Sequence, residues 1–463
     1  MPDADLWRYG RGQVLSDDTI FAVATAPGRA GIAVIRISGD AALPALQRLR
    51  GPAVGAPQPR RATLCRFRDG AGAAIDNGLF LWFPRHNSFT GEDVVELHVH
   101  GGRAVVAAML DELAGMPGLR PAEPGEFTRR AFDNDRLDLT AVEGLADLVA
   151  ADTPAQRRQA LSQLSGRLAC VYDDWTGRLT RALAWLEAEI DFADEDLPDG
   201  IGAATRAAVD AVRVEMAAHL ADGRRGEIVR EGFSIAIVGP PNAGKSSLLN
   251  ALAQRDAAIV AETAGTTRDV VEVRLDIGGY AAVVADTAGL RPGADPVEEE
   301  GIRRALARAT QADLVLLLVD ATDPGAAAGI GARLRDAGVA DVMVCSNKVD
   351  LVDAAGDPAV GGGQAHPLSV RTGAGMTELL ALLARRISGH VGTESEAPVL
   401  SRLRHRLAIE ACVGHLSRFA AVLQPDLAAE DVRLAVRELG RITGRVDVED
   451  LLDVIFRDFC IGK

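Results

Sequence analysis

The sequence predicts a multidomain protein: an α+β N-terminal domain, then an all-α region interrupted by an α/β phosphate-loop (P-loop) domain. Three observations carry this. Gly239-Pro240-Pro241-Asn242-Ala243-Gly244-Lys245-Ser246 fits G-x-x-x-x-G-K-[ST] and lies between the apolar run Phe233–Val238 and the helix-like run from Ser247. Helical periodicity flanks this unit on both sides, from Leu137 to about Ala221 and again from Ser401. Ahead of residue 134, strand-like and helix-like stretches mix without a βαβ rhythm.

The boundaries expected from this pattern are 1–134 for the α+β domain, 135–231 for the first helical part, 232–390 for the α/β domain and 391–463 for the second helical part. Insertion of one domain into another is tolerated where chain termini lie close together.

Composition fits a globular chain of 463 residues, 48% apolar and 25% charged. The net charge of −15 leaves nucleic-acid contact to local basic patches such as Arg157-Arg158, Arg224-Arg225 and Arg402–Arg406. Five scattered cysteines without C-x-x-C spacing argue against a disulfide framework or a zinc site. No apolar run reaches bilayer-spanning length, so the expectation is a cytoplasmic protein without membrane contact, with a polar leader up to about Ser16.

In the N-terminal domain, Thr19–Ala24, Gly31–Ile37, Leu79–Phe83 and Asp93–His100 read as strands, and Asp40–Arg50 and Arg103–Ala114 as helices. Leu161, Leu164, Leu168, Val171, Trp175, Leu179 and Leu183 predict one long helix over Pro154–Ile190, ending at the acidic break Asp191–Gly200. In the α/β domain the strands are Phe233–Val238, Val271–Leu275, Tyr280–Ala285, Leu314–Val319, Val342–Cys345 and Ala365–Leu368, which predicts a mostly parallel, doubly wound sheet.

Five short peptides in order, each following or joining strands, define a guanine-nucleotide site. Backbone amides of Asn242, Ala243, Gly244, Lys245, Ser246 and Ser247 suit polyphosphate, with Ser246 on Mg²⁺. The switch segment Gly265-Thr266-Thr267-Arg268-Asp269 brings a threonine hydroxyl to Mg²⁺. Asp286-Thr287-Ala288-Gly289 supplies a carboxylate for a Mg²⁺-bound water and an amide for the γ-phosphate. Asn347-Lys348-Val349-Asp350 places a carboxylate against the N1–H and amine of guanine, a donor pair that adenine lacks. Ser369-Val370-Arg371 supports the base. Leu290 stands where signalling GTPases carry a water-orienting glutamine, so a polar group must come from elsewhere; Glu298, Glu299 and Glu300 are the candidates.

Beyond these motifs the chain carries Pro27–Gly39 (PGRAGIAVIRISG), Asn87–Asp93 (NSFTGED), Pro124–Phe132 (PGEFTRRAF) and a terminal Cys460-Ile461-Gly462-Lys463. Together they resemble the MnmE (TrmE) family of tRNA modification GTPases over Thr19–Lys463. The resemblance implies a homodimer formed through the N-terminal domain, which binds 5-formyl- or methylene-tetrahydrofolate. It implies a flavin-dependent partner, MnmG (GidA), with which an aminomethyl or carboxymethylaminomethyl group is built on carbon 5 of the wobble uridine of certain tRNAs. Glycine or ammonium supplies the nitrogen. GTP hydrolysis is stimulated by K⁺, which takes the place of an arginine finger.

By matching position, the resemblance puts K⁺ on Asn242 and on backbone carbonyls of Ala261, Thr263 and Thr266, although Ala261 replaces the family's usual threonine. Mg²⁺ falls to Ser246 and Thr267, and the catalytic water to Glu298. Folate binding falls to Arg36, Glu96, Arg136 and Lys463, with Cys460 beside them as a candidate thiol. Arg136 stands where a lysine is also found, which keeps charge but changes geometry.

Three other readings compete with these. Glu96, His98 and His100 share one side of a strand, as metal ligands do, but no fourth ligand is evident. A GTP-switched RNA-binding or ribosome-assembly factor fits the GTPase core but not the terminal motifs; a small-molecule one-carbon transferase leaves that core without a purpose.

Overall fold

The computed structural model describes residues 18–51, 56–191, 201–222, 224–254, 272–286, 306–352, 359–360, 363–392, 399–421 and 424–446, together with Leu452, Ile455, Phe456, Phe459 and Gly462. The chain divides into two compact units, Met1–Ala146 with Thr443–Lys463, and Asp147–Ile442.

The first unit is built on a six-stranded sheet: β1 (Thr19–Val23), β2 (Ala30–Ser38), β3 (Thr63–Arg68), β4 (Ala74–Phe83), β5 (Val94–Gly101) and β6 (Leu119–Pro121), in the order β3-β4-β5-β2-β1-β6. Neighbours are antiparallel except β1 and β6. Period-two alternation divides each strand between two faces. Ala33, Ile35 and Ile37 turn into a core with Phe67, Phe80 and Leu97, closed by Leu46 and Leu49 of α1 (Ala42–Arg50) and Met109 and Leu113 of α2 (Arg103–Ala114). On the opposite face Ile20 and Ala22 pack against Phe127 of α3 (Glu126–Asp133).

Strands β3 and β6 were not anticipated. In β3, Cys65 and Phe67 point inward while Leu64 is 75% exposed on the face it shares with Arg66 and Arg68, so the apolar signal is half of what a buried strand shows. The expected strand Leu79–Phe83 is the end of a longer one, because β4 starts at Ala74.

Two of the three charged residues of PGEFTRRAF, Glu126 and Arg130, are paired internally, whereas Arg129 is exposed. Arg130, with a side chain 7% exposed, pairs with Asp18 at 2.9 Å, Glu92 at 3.2 Å and Glu126 at 3.3 Å, and Arg120 joins Asp18 and Glu126. The stretch from Thr443, which the sequence grouped with the helical part, contributes Leu452, Phe456 and Phe459 to a cluster with Phe132, Leu139 and Val142 in this first unit.

In the second unit the expected helix Pro154–Ile190 is two: α5 (Pro154–Leu164) and α6 (Arg167–Asp191), after α4 (Leu139–Val149). A capping box of Thr153 and Gln156 starts α5. Gly166, at φ +80°, turns the chain between the two, and period alone does not register that break. α6 packs through Tyr172, Trp175, Leu179 and Leu186 on Val209, Val212 and Met216 of α7 (Ile201–Leu220). Ile409, Cys412 and Leu416 lie in the same core with Val432 and Leu439, so segments from both sides of the α/β part share it.

The α/β part follows α8 (Arg225–Glu231). It contains β7 (Phe233–Val238), β8 (Glu272–Ile277), β9 (Tyr280–Asp286), β10 (Leu314–Asp320) and β11 (Val342–Asn347), with a two-residue strand His366–Pro367. From that edge the order is β11-β10-β7-β9-β8, all parallel except β8 with β9. Central strands are buried on both faces, which explains the unbroken apolar run of β10. Leu248 and Leu252 of α9 (Lys245–Ala253) and Leu379 and Leu383 of the helix Met376–Val391 close one face. Among the described residues no helix is long and apolar enough to cross a membrane.

Candidate functional site

β7 ends at Val238, and the phosphate loop carries the chain to Gly244, the N-cap of α9. Parallel strands present such loops at their carboxyl ends, where α/β sheets bind ligands. Gly244 sits at φ +96°, and a Cβ there would lie 2.4 Å from Nδ2 of Asn347, so only glycine fits. Asn242 is exposed at φ +63°. Lys245 Nζ donates to the carbonyls of Gly239 at 2.9 Å and Pro240 at 2.8 Å, which holds the ammonium over the loop. Ser246 and Ser247 are exposed on the first turn of α9, whose free amides and dipole favour an anion.

Asn347 closes β11 and is 3% exposed. Its Nδ2 donates to the Ala243 carbonyl at 2.8 Å, and its Oδ1 accepts from the Val370 amide at 3.1 Å. One amide therefore ties the phosphate loop to the segment at Ser369. Asp350 follows on a short 3₁₀ turn, Val349–Leu351. Its Oδ1 accepts from Ser369 Oγ at 2.5 Å and its Oδ2 pairs with Arg371 at 2.5 Å. The Ser369 hydrogen bond first, and Arg371 with it, hold this carboxyl below the usual range. It is therefore an ionised acceptor at neutral pH, as recognition of the guanine donor pair requires.

Lys348, at φ +66°, is fixed by a 2.6 Å ion pair with Asp320, the residue beside Asn347 in the β10–β11 register. Burial pushes the Asp320 carboxyl up, but the hydrogen bonds from Lys348 and Thr322 outweigh it and leave it lowered. Sequence reasoning gave Asp320 no role. The available signal was its place at the end of an apolar strand one position across from the Asn-Lys-x-Asp peptide.

The structure thus brings together Asn242–Ser247, Asn347–Asp350 and Ser369–Arg371. Asp286 ends β9, next to β7 in the sheet. Its side chain and Ala261, Glu262, Thr263, Ala264, Gly265, Thr266, Thr267, Thr287, Ala288, Gly289 and Glu298 lie outside what is described, as do Cys460 and Lys463.

The first unit holds a second constellation. Arg36 of β2 and Glu96 of β5 are direct cross-strand partners on the face opposite the main core. Arg36 Nε and Nη2 donate to Glu96 Oε1 at 3.2 and 3.0 Å, and both side chains are 20% exposed. The guanidinium lies 5.6 Å from the Phe89 ring and 5.7 Å from the Phe127 ring, and its Nη1 donates to the Gly462 carbonyl at 3.4 Å. Gly462, at φ +101°, is pinned against β1, because a Cβ there would sit 2.3 Å from the Val23 carbonyl. Residue 462 meets the pair of residues 36 and 96 although hundreds of positions separate it from them in sequence. Arg136 is exposed, with its side chain near Gly91. The two phenyl rings had been noticed only as parts of motifs. Of the three residues weighed as metal ligands, His100 is instead bound to Asp76 at 2.9 Å, and no metal-holding group occurs among the described residues.

Arginines of two of the three clusters have internal partners, while Arg157 and Arg158 are exposed. Arg402 pairs with Asp147 at 2.7 Å, Arg404 donates to the Ile442 carbonyl at 3.1 Å, and Arg406 meets Glu227 at 2.8 Å and Asp222 at 3.1 Å. Arg224 joins Glu227 at 2.7 Å.

Two family models match this chain: one described as "GTP-binding protein TrmE N-terminus" over residues 19–136, and one described as "MnmE helical domain" over residues 139–460. The protein called tRNA modification GTPase MnmE in Parvibaculum lavamentivorans is 57% identical over 451 residues, covering 96% of this chain and 100% of that one. Its namesake in Paramagnetospirillum magneticum is 54% identical over 447 residues, with 96% and 100% covered. That of Rhodospirillum rubrum is 51% identical over 459 residues, with 96% and 99% covered.

Proposed function

The chain belongs to the MnmE family of tRNA modification GTPases, and on that premise we propose a K⁺-stimulated GTP hydrolase that modifies carbon 5 of the wobble uridine in certain tRNAs. GTP binding and hydrolysis in tRNA modification come with the family. The finer reading is that, as a homodimer in the cytoplasm and with the flavin-dependent partner MnmG, it adds an aminomethyl or carboxymethylaminomethyl group. The observation that carries this reading is the Arg36–Glu96 pair beside Gly462, a second polar site in a chain that already has a nucleotide site.

For hydrolysis, Asp350 selects guanine, Lys245 and the loop amides hold the phosphates, and Glu298 orients the attacking water. Ser246 and Thr267 hold Mg²⁺; the exposure of Ser246 on the first turn of α9 suits that role. Asn242, exposed on the loop, presents an amide oxygen to K⁺ with carbonyls of Ala261, Thr263 and Thr266; that cation supplies positive charge where negative charge develops. Equal turnover in Na⁺ and K⁺ removes Asn242 from the mechanism.

An ion pair set between two phenyl rings suits a flat heterocycle with a polar edge, so Arg36 and Glu96, with Arg136 and Lys463, are assigned to tetrahydrofolate. Bound there, the folate supplies the one-carbon unit. The protein's own residues orient it, and Cys460, two positions before Gly462 in the sequence, is the candidate thiol. The decisive measurement is mass spectrometry of wobble nucleosides in tRNA from cells lacking this protein: loss of the carbon-5 modification is expected, and unchanged levels overturn the reading.

A further inference from the structure

Glu96 and His98 are two residues apart on β5 and share its open face. Arg36 engages only one oxygen of the Glu96 carboxylate, Oε1. The other, Oε2, stands 3.6 Å from Nε2 of His98, beyond hydrogen-bonding distance. That ring nitrogen is buried and has no hydrogen-bond partner among the described residues. The residues paired with His98 across the sheet, Leu79 on β4 and Val34 on β2, carry no polar side chain to satisfy it. Native proteins seldom leave a buried ring nitrogen unmatched, and here the orphan lies beside the free oxygen of Glu96.

We propose that His98 is a specificity-determining residue of this site. Glu96 Oε2 accepts a hydrogen bond from an N–H of the bound heterocycle, and His98 Nε2–H donates to the ring acceptor next to it. A carboxylate can only accept, and Arg36 has already taken one of its oxygens. The amino-pyrimidinone edge of a pterin alternates donors with acceptors. Glu96 alone leaves an acceptor on that edge without a donor, and His98 is placed two residues along the same strand to provide one. The inference rests on the tetrahydrofolate reading of this site and adds the residue that distinguishes a pterin edge from a plain cationic amidine.

The test is equilibrium binding of three probes to the full-length protein: 5-formyltetrahydrofolate, tetrahydropterin and p-aminobenzoylglutamate. His98→Leu is expected to weaken the first two about tenfold or more, the range for a lost polar contact that strands its partner. The tail fragment p-aminobenzoylglutamate is expected to bind His98→Leu as it binds wild type. His98→Gln, which returns an N–H near the position of Nε2, is expected to recover most of the affinity at an unchanged thermal midpoint. If Glu96→Gln weakens binding and His98→Leu does not, the role of His98 is overturned and the folate site stands. If His98→Gln binds as poorly as His98→Leu at wild-type stability, the hydrogen-bond role is overturned. If wild type binds none of the probes, the folate reading falls and takes this inference with it.

Discussion

The guanine-nucleotide site and the Arg36–Glu96 site are both polar constellations built on a six-stranded sheet, yet they are encoded in opposite ways. The nucleotide site is assembled from consecutive peptides, each at the carboxyl end of a parallel strand. Parallel order brings strand ends to one edge of the sheet, so the loops converge without help from side-chain register. The other site takes one residue from each of two antiparallel strands, two rings from separate segments, and a backbone carbonyl from residue 462. Its geometry depends on register and on the docking of a distant segment. Motifs survive as words in the first case and disappear into pairings in the second.

The two largest expected effects, of similar size, test the first site. Glu298→Ala should lower GTP turnover by about two to three orders of magnitude while GTP affinity stays near wild type, because only the transition state loses a contact. Single-turnover kinetics beside nucleotide titration measure both. If turnover persists, Glu299 or Glu300 takes the role.

Next comes base selection. Asp350→Asn should weaken GTP binding about a thousandfold or more and gain binding of xanthosine triphosphate, whose carbon-2 carbonyl accepts where the guanine amine donates. Retained GTP preference would remove Asp350 from recognition, leaving its contacts with Ser369 and Arg371 as a loop clasp.

Between these extremes lies the clasp that joins α8, and with it the strand leading to the phosphate loop, to the helix Leu403–Ala421. Glu227, with a side chain 4% exposed, binds both Arg406 and Arg224. Glu227→Gln leaves Arg406 with Asp222 and the Leu220 carbonyl but without its most buried counter-charge, and should cost about 3 kcal/mol in denaturant unfolding. A change below about 0.5 kcal/mol would show that the pair is as weak as a surface bridge.

The second site is probed more gently by Gly462→Ala. The added methyl meets the Val23 carbonyl, so the tail must lift from Arg36. Affinity for 5-formyltetrahydrofolate should fall about tenfold, roughly the loss of one charge-assisted contact, with GTP turnover unchanged. A parallel fall in turnover would couple the two sites.

The smallest effect concerns pH. His219 packs edge-on against Tyr172 and Trp175 in the helical core, and burial pushes its pKa below the ordinary 6.5. Its neutral form is the one that folds. The stability is therefore complete above about pH 6.5 and declines as pH falls toward the lowered folded value, with a slope no steeper than about 1.4 kcal/mol per pH unit. His219→Phe should flatten that part of the profile in chemical unfolding at several pH values.

Much was legible before any coordinates. The strands of the α/β part were found within a few residues, because buried parallel strands are continuous apolar runs. Strand β3 and the break at Gly166 were not, because an edge strand and a left-handed turn leave period and hydropathy nearly unchanged. Of the arginine clusters, Arg402, Arg404 and Arg406 look like an exposed basic stripe, but Asp147, the Ile442 carbonyl, Asp222 and Glu227 come to meet them from other segments of the chain.

What the sequence by itself determined was the nucleotide chemistry. Asn-Lys-x-Asp, the phosphate loop and their order suffice because backbone amides and one carboxylate do the recognition, and local peptide geometry presents them. Tertiary structure alone decided that Asn347 is the tie between loops, that Asp320 anchors Lys348, and that Arg36 and Glu96 meet Gly462. Each of these is a pairing across strands or between chain segments far apart. Linear order carries no record of such distances until the sheet register and the apolar core have set them.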